Sequence, residues 1–424
     1  MNLLISQSDS RVLIGIVSLV ALSLGVLLYG NAQEVRRSNT PAGESHKDYR
    51  FAAGRSALRI PFEEDDGHIF LQARINDSPP LWFGLDTGAI RSVIDRGRAQ
   101  SLGLRFEGRQ QVGGAGGTEE ALIIKGISVK LPGVELSNQT AWALPLEALS
   151  VANGREMAGI IGYELFSHFV VDVDYAAKYI NLYEPQGYRY RGSGENIPLT
   201  LRDGEIYVPA KVTVAGHDVL EGQFVIDTGS NNTLMLAKSF VEDHKLLDSI
   251  GKTLPARGGG VGGEIQIAMG RATNLRLGHF VVNNPVTAFI KVGEIAEPGM
   301  AGNIGGRLLR RFRVIFDYSR RRMILEPNVR FPEAEEFDMS GAALISEGPA
   351  FTIIKVVRAR PNSPAAEAGL LPQDIITAVD GRPASTLTLS GLRKMFREDG
   401  RAYLLSVMRN EQVFQIRLRL RKLI

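Results

Sequence analysis

The sequence predicts a mostly β protein: two tandem β lobes, then a smaller α+β domain, all behind an apolar N-terminal helix. Three observations predict this. Short β-branched and aromatic runs broken by Gly, Asn and Pro fill the middle of the chain. Four markers recur there in the same order at nearly one offset. From residue 341 onward the pattern changes to strands mixed with short capped helices.

A chain of 424 residues suits two or three domains. With 44% apolar and 22% charged residues it is globular rather than disordered. A formal net charge of +3 is too small to argue for a nucleic-acid partner. There is no cysteine, which excludes a thiol nucleophile, a thiolate metal site and a disulfide. The six histidines are scattered without metal-ligand spacing, so no metal and no cofactor is expected. There is no nucleotide-binding glycine loop and no Gly-x-Ser-x-Gly elbow.

Residues 12–29 read VLIGIVSLVALSLGVLLY without a charge, just enough to span a bilayer. A cleaved signal peptide is the alternative, because small residues come next at Gly30-Asn31-Ala32. The length of the run favours a retained anchor over residues 1–30. Arg36 and Arg37 lie after the run while Arg11 alone precedes it, which argues weakly against export of the downstream chain. Residues 31–57 are polar and read as a flexible tether.

The repeat defines the first lobe over residues 58–187 and the second over 188–330. The first copy runs from Ile60-Pro61-Phe62 through Asp86-Thr87-Gly88 and Ile160-Ile161-Gly162 to Asp172-Val173-Asp174-Tyr175. The second runs from Ile197-Pro198-Leu199 through Asp227-Thr228-Gly229 and Asn303-Ile304-Gly305 to Asp317-Tyr318. Residues 331–340, acidic and carrying Pro332, read as a linker. Residues 341–424 hold a strand at 351–357, a short helix ending at Gly369, a strand at 374–381, helical spacing at 389–397 and an alternating edge strand at 413–420.

The chemistry lies in the two Asp-Thr-Gly triplets. An apolar strand delivers each carboxylate into a turn that Gly88 or Gly229 permits. Thr87 and Thr228 can hydrogen-bond across to the other copy and fix the pair. Two carboxylates about 3 Å apart cannot both ionise, so they share one proton. The ionised member then activates a water and the protonated one donates to a carbonyl oxygen. One such triplet is a common turn; two, each with a matching Ile-Gly element, are not.

The repeat resembles the retropepsin-type aspartic proteases, including bacterial members with an attached PDZ domain, over roughly residues 58–330. The resemblance implies two tandem acid-protease β lobes, with Asp86 and Asp227 as the catalytic pair and Thr87, Gly88, Thr228, Gly229 and Ser230 supporting them. It also implies a glycine-rich flap, with candidates at Gly113, Gly114, Gly116 and Gly117 and at Gly259, Gly260, Gly262 and Gly263. Disordered hairpin tips are the plainer reading of those glycines. Asn303 departs from the apolar residue usual beside the Ile-Gly element. Ser230 offers a hydroxyl beside Asp227 where Ala89 comes after Gly88, so Asp227 is expected to be the ionised member through that donor.

Residues 341–424 resemble a PDZ domain through Asn362 to Leu370 and Asp374 to Gly381. That implies a C-terminal peptide ligand, with residues 346–350 as the carboxylate-binding turn, although Gln373 replaces an expected Gly. A packing domain that binds nothing is the plainer reading.

The leading expectation is a single-pass enzyme of the bacterial inner membrane, anchored through residues 12–29, cleaving protein or peptide substrates on the periplasmic side. A catalytically silent peptide-binding protein and an enzyme whose lobes pair with those of another chain are the alternatives.

Overall fold

The computed structural model describes residues 47–293 and 299–424. The apolar run at 12–29 and most of the tether lie outside the described residues. Among the described residues, no helix is long and apolar enough to cross a membrane.

Strands dominate, in sheets of 14, 10 and 6 strands. The strand Leu220–Asp227 runs antiparallel to Glu205–Thr213 and parallel to Gly302–Gly305. It has neighbours on both edges and cover on both faces, which is why Phe224, Val225 and Ile226 are all fully buried and the run does not alternate. In the first copy, Leu81–Leu85 likewise lies antiparallel to His68–Ile75 and parallel to Gly159–Ile161.

The two copies are joined by six strands in the order Glu195–Pro198, Arg322–Pro327, Phe312–Asp317, Val170–Asp174, Tyr179–Tyr183 and Ser56–Asp65. The order is a palindrome of the repeat. At its centre Val171 lies opposite Phe316 and Val173 opposite Val314. Asp172 is fully buried there and accepts two bonds from Arg313, both at 2.8 Å, across the seam. A buried carboxylate needs such a bidentate partner to offset its lost hydration. One apolar core runs from Ala57 to Leu325 through both lobes. The seam strands that another chain's lobe would need are already paired within this chain.

The third domain has its own core, from Met339 to Leu420. Its sheet runs from the edge strand Ala342–Glu347 through Ile353–Ala359, Ile375–Val379 and Ala402–Arg409 to the other edge, Gln412–Arg419. The second strand starts at Ile353, not 351, because Ala350 and Phe351 take left-handed φ of 54° and 53° in a short turn. In the expected carboxylate-binding turn at 346–350, Ser346 is buried with its hydroxyl donated to the Phe351 carbonyl, and the Phe351 N–H bonds to the Gly348 carbonyl.

This domain is held against the lobes. Residues 331–340 carry no regular element, yet they are not loose: Glu335 accepts from the Thr233 hydroxyl and the Val286 N–H, and Met339 is buried. The first-lobe helix Glu147–Asn153 packs on the edge strand Ala342–Glu347. A Cβ on Gly154, which ends that helix, would stand 2.6 Å from Leu389 Cβ. At the turn between Ser56–Asp65 and His68–Ile75, the Asp66 carboxylate is gripped from two sides. Arg307 of the second lobe donates at 2.6 and 3.1 Å, and Arg397 of the third domain at 2.9 and 3.1 Å.

Candidate active site

The strand Leu81–Leu85 ends on Asp86, whose N–H bonds to the Ile161 carbonyl of the parallel neighbour at 3.0 Å. The strand Leu220–Asp227 ends on Asp227 in the same way, opposite Gly305. Both aspartates are 0% exposed. Asp86 Oδ1 accepts the Gly88 N–H at 2.7 Å, and Asp227 Oδ1 accepts the Gly229 N–H at 2.8 Å. A Cβ on Gly229 would stand 2.3 Å from Asp86 Cγ, so that turn has to be glycine to let the carboxylate of the other copy in.

The threonines lock the two turns together. The Thr87 N–H donates to Thr228 Oγ1 and the Thr228 N–H donates to Thr87 Oγ1, both at 3.0 Å. Each hydroxyl then donates onward, Thr87 to the Ile226 carbonyl at 2.6 Å and Thr228 to the Leu85 carbonyl at 2.8 Å. Every polar group of these two threonine side chains has a partner, which makes the clamp rigid. The two carboxylates lie side by side: a Cβ on Gly88 would stand 3.3 Å from both Asp86 Oδ1 and Asp227 Oδ1.

Their surroundings differ. Burial pushes the Asp86 carboxyl well above the ordinary carboxylate range, helped by the nearby Asp227 carboxylate. Burial raises Asp227 as well, but the Asn303 amide, then the nearby Asp86 carboxyl and the Gly229 and Ser230 N–H groups, pull it back. Asn303 Nδ2 lies 2.6 Å from Asp227 Oδ2, and Asn303 is 0% exposed. Asp86 Oδ2 has no donor of this kind among the described residues. The Ser230 hydroxyl does not supply the asymmetry: its oxygen accepts from Asn232 Nδ2, and Asn232 also donates to Asn303 Oδ1 at 3.2 Å. The donor expected at Ser230 is therefore found at Asn303, a residue that spacing alone marked only as a departure.

Both glycine-rich segments form hairpins, Gly108–Gly114 with Gly117–Leu131 and Leu254–Gly260 with Gly263–Arg271. Gly113, Gly114 and Gly117 pair within the first, and Gly259, Gly260 and Gly263 within the second; Gly116 and Gly262 lie in the two tips. The tips meet. The Gly116 N–H donates to the Val261 carbonyl at 3.1 Å, and Cβ atoms on Gly116 and Gly262 would stand 2.0 and 2.4 Å from the opposing backbone. They also exchange side chains. Val261 joins the first-lobe cluster of Phe70, Ala89 and Trp142, and Ala115 joins the second-lobe cluster of Met235, Ile265 and Ile290. Gly116→Val is expected to part the tips at a cost of about 1–3 kcal/mol. Both tryptophans, Trp82 and Trp142, lie in or against the Val261 cluster, so emission moving to longer wavelength reports the parting; an unchanged spectrum would contradict the interlock.

The aspartyl protease family model matches this chain twice, over residues 71–165 and 210–306, and a PDZ domain model matches residues 355–405. Each aspartyl protease match contains one Asp turn, one of the hairpin tips and one Ile-Gly element. No curated protein matches the chain.

Proposed function

Because the chain carries two tandem aspartyl-protease repeats and then a PDZ domain, we propose that it is a single-chain endopeptidase with Asp86 and Asp227 as its catalytic pair. The observation that carries this is the pair itself: two fully buried carboxylates, one from each repeat, set side by side and clamped by reciprocal threonine bonds. A silent peptide-holding cleft gains nothing from forcing two acids together without water, which is costly.

In this reading Asp227 is ionised and Asp86 carries the proton. Asp227 takes a proton from a water as that water's oxygen attacks the peptide carbonyl carbon. Asp86 gives its proton to the carbonyl oxygen, and a neutral gem-diol results. Asp227 then protonates the leaving nitrogen while a diol hydroxyl returns its proton to Asp86, and the C–N bond breaks. The interlocked hairpins serve as flaps that open to admit an extended chain and close to exclude bulk water.

Asn303 is a positioning residue for this assignment. It stabilises the ionised form of Asp227, so its loss should raise the acidic limb of the kcat/KM profile. Asn303→Leu is expected to move that limb toward neutral by about 1 pH unit, the value of one charge-assisted bond. Ser230→Ala should leave the limb in place. The groups facing the pair, Tyr175 towards Asp227 and Tyr318 towards Asp86, stay neutral through the acid range because burial raises both. His68 Nε2 lies 3.1 Å from the Gly229 carbonyl. A limb that moves with Ser230 and not with Asn303 would reverse the assignment.

The PDZ domain supplies docking or regulation. A peptide tail that added to the edge strand Ala342–Glu347 would compete with the first-lobe helix now packed there, so tail capture and release of the domain would be one event. We further place the enzyme at the bacterial inner membrane through residues 12–29, with exported or membrane-proximal proteins as substrates. Incubation of an unfolded protein with the full chain in detergent between about pH 3 and 7 tests the peptidase reading. New N-termini identified by mass spectrometry are expected; intact substrate at every pH from folded enzyme would sink it.

A further inference from the structure

Where the third domain meets the lobes there is a small, partly open cavity of about 50 Å³. One water needs roughly 10–15 Å³ by the same measure, so the space suits a few waters or one small oxyanion. Its lining carries five guanidinium groups: Arg307 from the second lobe and Arg358, Arg360, Arg393 and Arg397 from the third domain. Two carboxylates, Asp66 and Asp338, stand against them.

Both carboxylates are already committed. Asp66 is shared by Arg307 and Arg397. Asp338 accepts from the Ser340 hydroxyl and the Gly341 N–H, both at 2.7 Å. That leaves Arg358, Arg360 and Arg393 with no carboxylate of the lining to themselves. Arg360 is 7% exposed, and its Nε and Nη1 have no partner among the described residues. Arg393 spends one Nη2 bond on the Leu344 carbonyl, at 2.7 Å, and its Nε has no partner among the described residues. Burial pulls Arg360 down from its ordinary range, and Arg393 to about 10. Buried guanidinium donors without partners cost several kcal/mol each unless something anionic meets them.

We infer that this arginine-lined cavity is an anion site at the seam between the lobes and the third domain, taking one small oxyanion of carboxylate or phosphate size. The anion completes the hydrogen bonding of Arg360 and Arg393 and neutralises the excess positive charge on the third-domain side. Because Arg307 and Asp66 contribute from the lobes, the occupied site holds the third domain closed on them. The anion site is independent of the peptidase reading, since it involves no group of the Asp pair.

The test is equilibrium dialysis of the full chain in detergent against inorganic phosphate, and separately against acetate, with ionic strength held constant by a bulky anion. Saturable binding of one anion per chain is expected, at least tenfold weaker in Arg360→Met. Phosphate binding without acetate binding would identify a tetrahedral oxyanion, and the reverse a carboxylate; both uphold the site. Should Arg360→Met fail to fold, Arg358→Gln, which lines the same cavity from a less buried position, replaces it with the same expectation. Absence of saturable binding of either anion, or binding equal in wild type and variant, would overturn the inference.

Discussion

Asp86→Asn and Asp227→Asn should each lower kcat/KM for peptide cleavage by at least about 10³-fold while leaving the protein as stable as before or more so. The two effects have opposite signs for one reason. The mechanism needs one ionised and one protonated carboxyl, and an amide can be neither. The folded protein, by contrast, gains when one of two crowded acids becomes neutral. Both folded carboxyls lie above their ordinary values, chiefly through burial. A raised carboxyl binds its proton more tightly in the folded state, so the stability it contributes is complete below the unfolded value, about 3.9, and is lost as pH rises through the folded value. The Asn variants lack that loss. Their melting midpoint should therefore gain on wild type between about pH 4 and neutrality. Fragment release and thermal melting on the same samples check both halves. A variant that retains wild-type cleavage would remove that aspartate from the site.

Asp66→Ala should cost about 3 kcal/mol at neutral pH, because it strands two buried guanidinium groups from different domains. Burial alone would raise Asp66, but Arg307 and Arg397 more than offset it and hold the carboxyl well below the usual range. For such a depressed group the stability is fully present above the unfolded value of about 3.9 and is lost progressively as pH falls from there through the lower folded value. The domain therefore stays docked across the acid range in which the pair works. In Asp66→Ala the urea midpoint should fall, and a glutamate-specific protease should gain access to Glu333, Glu335 and Glu336. An unchanged midpoint with no new cleavage would show that this ion pair does not hold the third domain.

The positions that could be read in the sequence are those where backbone geometry or charge leaves one choice. The Asp-Thr-Gly turns need their glycines for close approach, and Asp172 recurs at Asp317 because each is a buried carboxylate met by arginine. The glycines at the hairpin tips recur because two backbones touch there. Asn303 was harder. It sits opposite Val225 on the parallel neighbour, two places before the residue opposite Asp227. Which polar side chain near a carboxylate points at it depends on that register, not on distance along the chain, and Ser230 was nearer in sequence. A signal was present: Ile160 fills the same place in the other copy, and a buried amide in an apolar run needs a partner. The docking of the third domain was not legible. Asp66 lies in the turn between two strands, and its partners lie 241 and 331 residues away.

The proposed chemistry depends on one site built from two carboxylates of a single chain. The most direct test mixes Asp86→Asn and Asp227→Asn enzymes in equal amounts and monitors cleavage of an unfolded protein beside wild type. Because the seam strands pair within each chain, the mixture is predicted to be as inactive as either variant alone. Activity restored in the mixture would mean that Asp86 of one chain works with Asp227 of another, and would contradict the single-chain site.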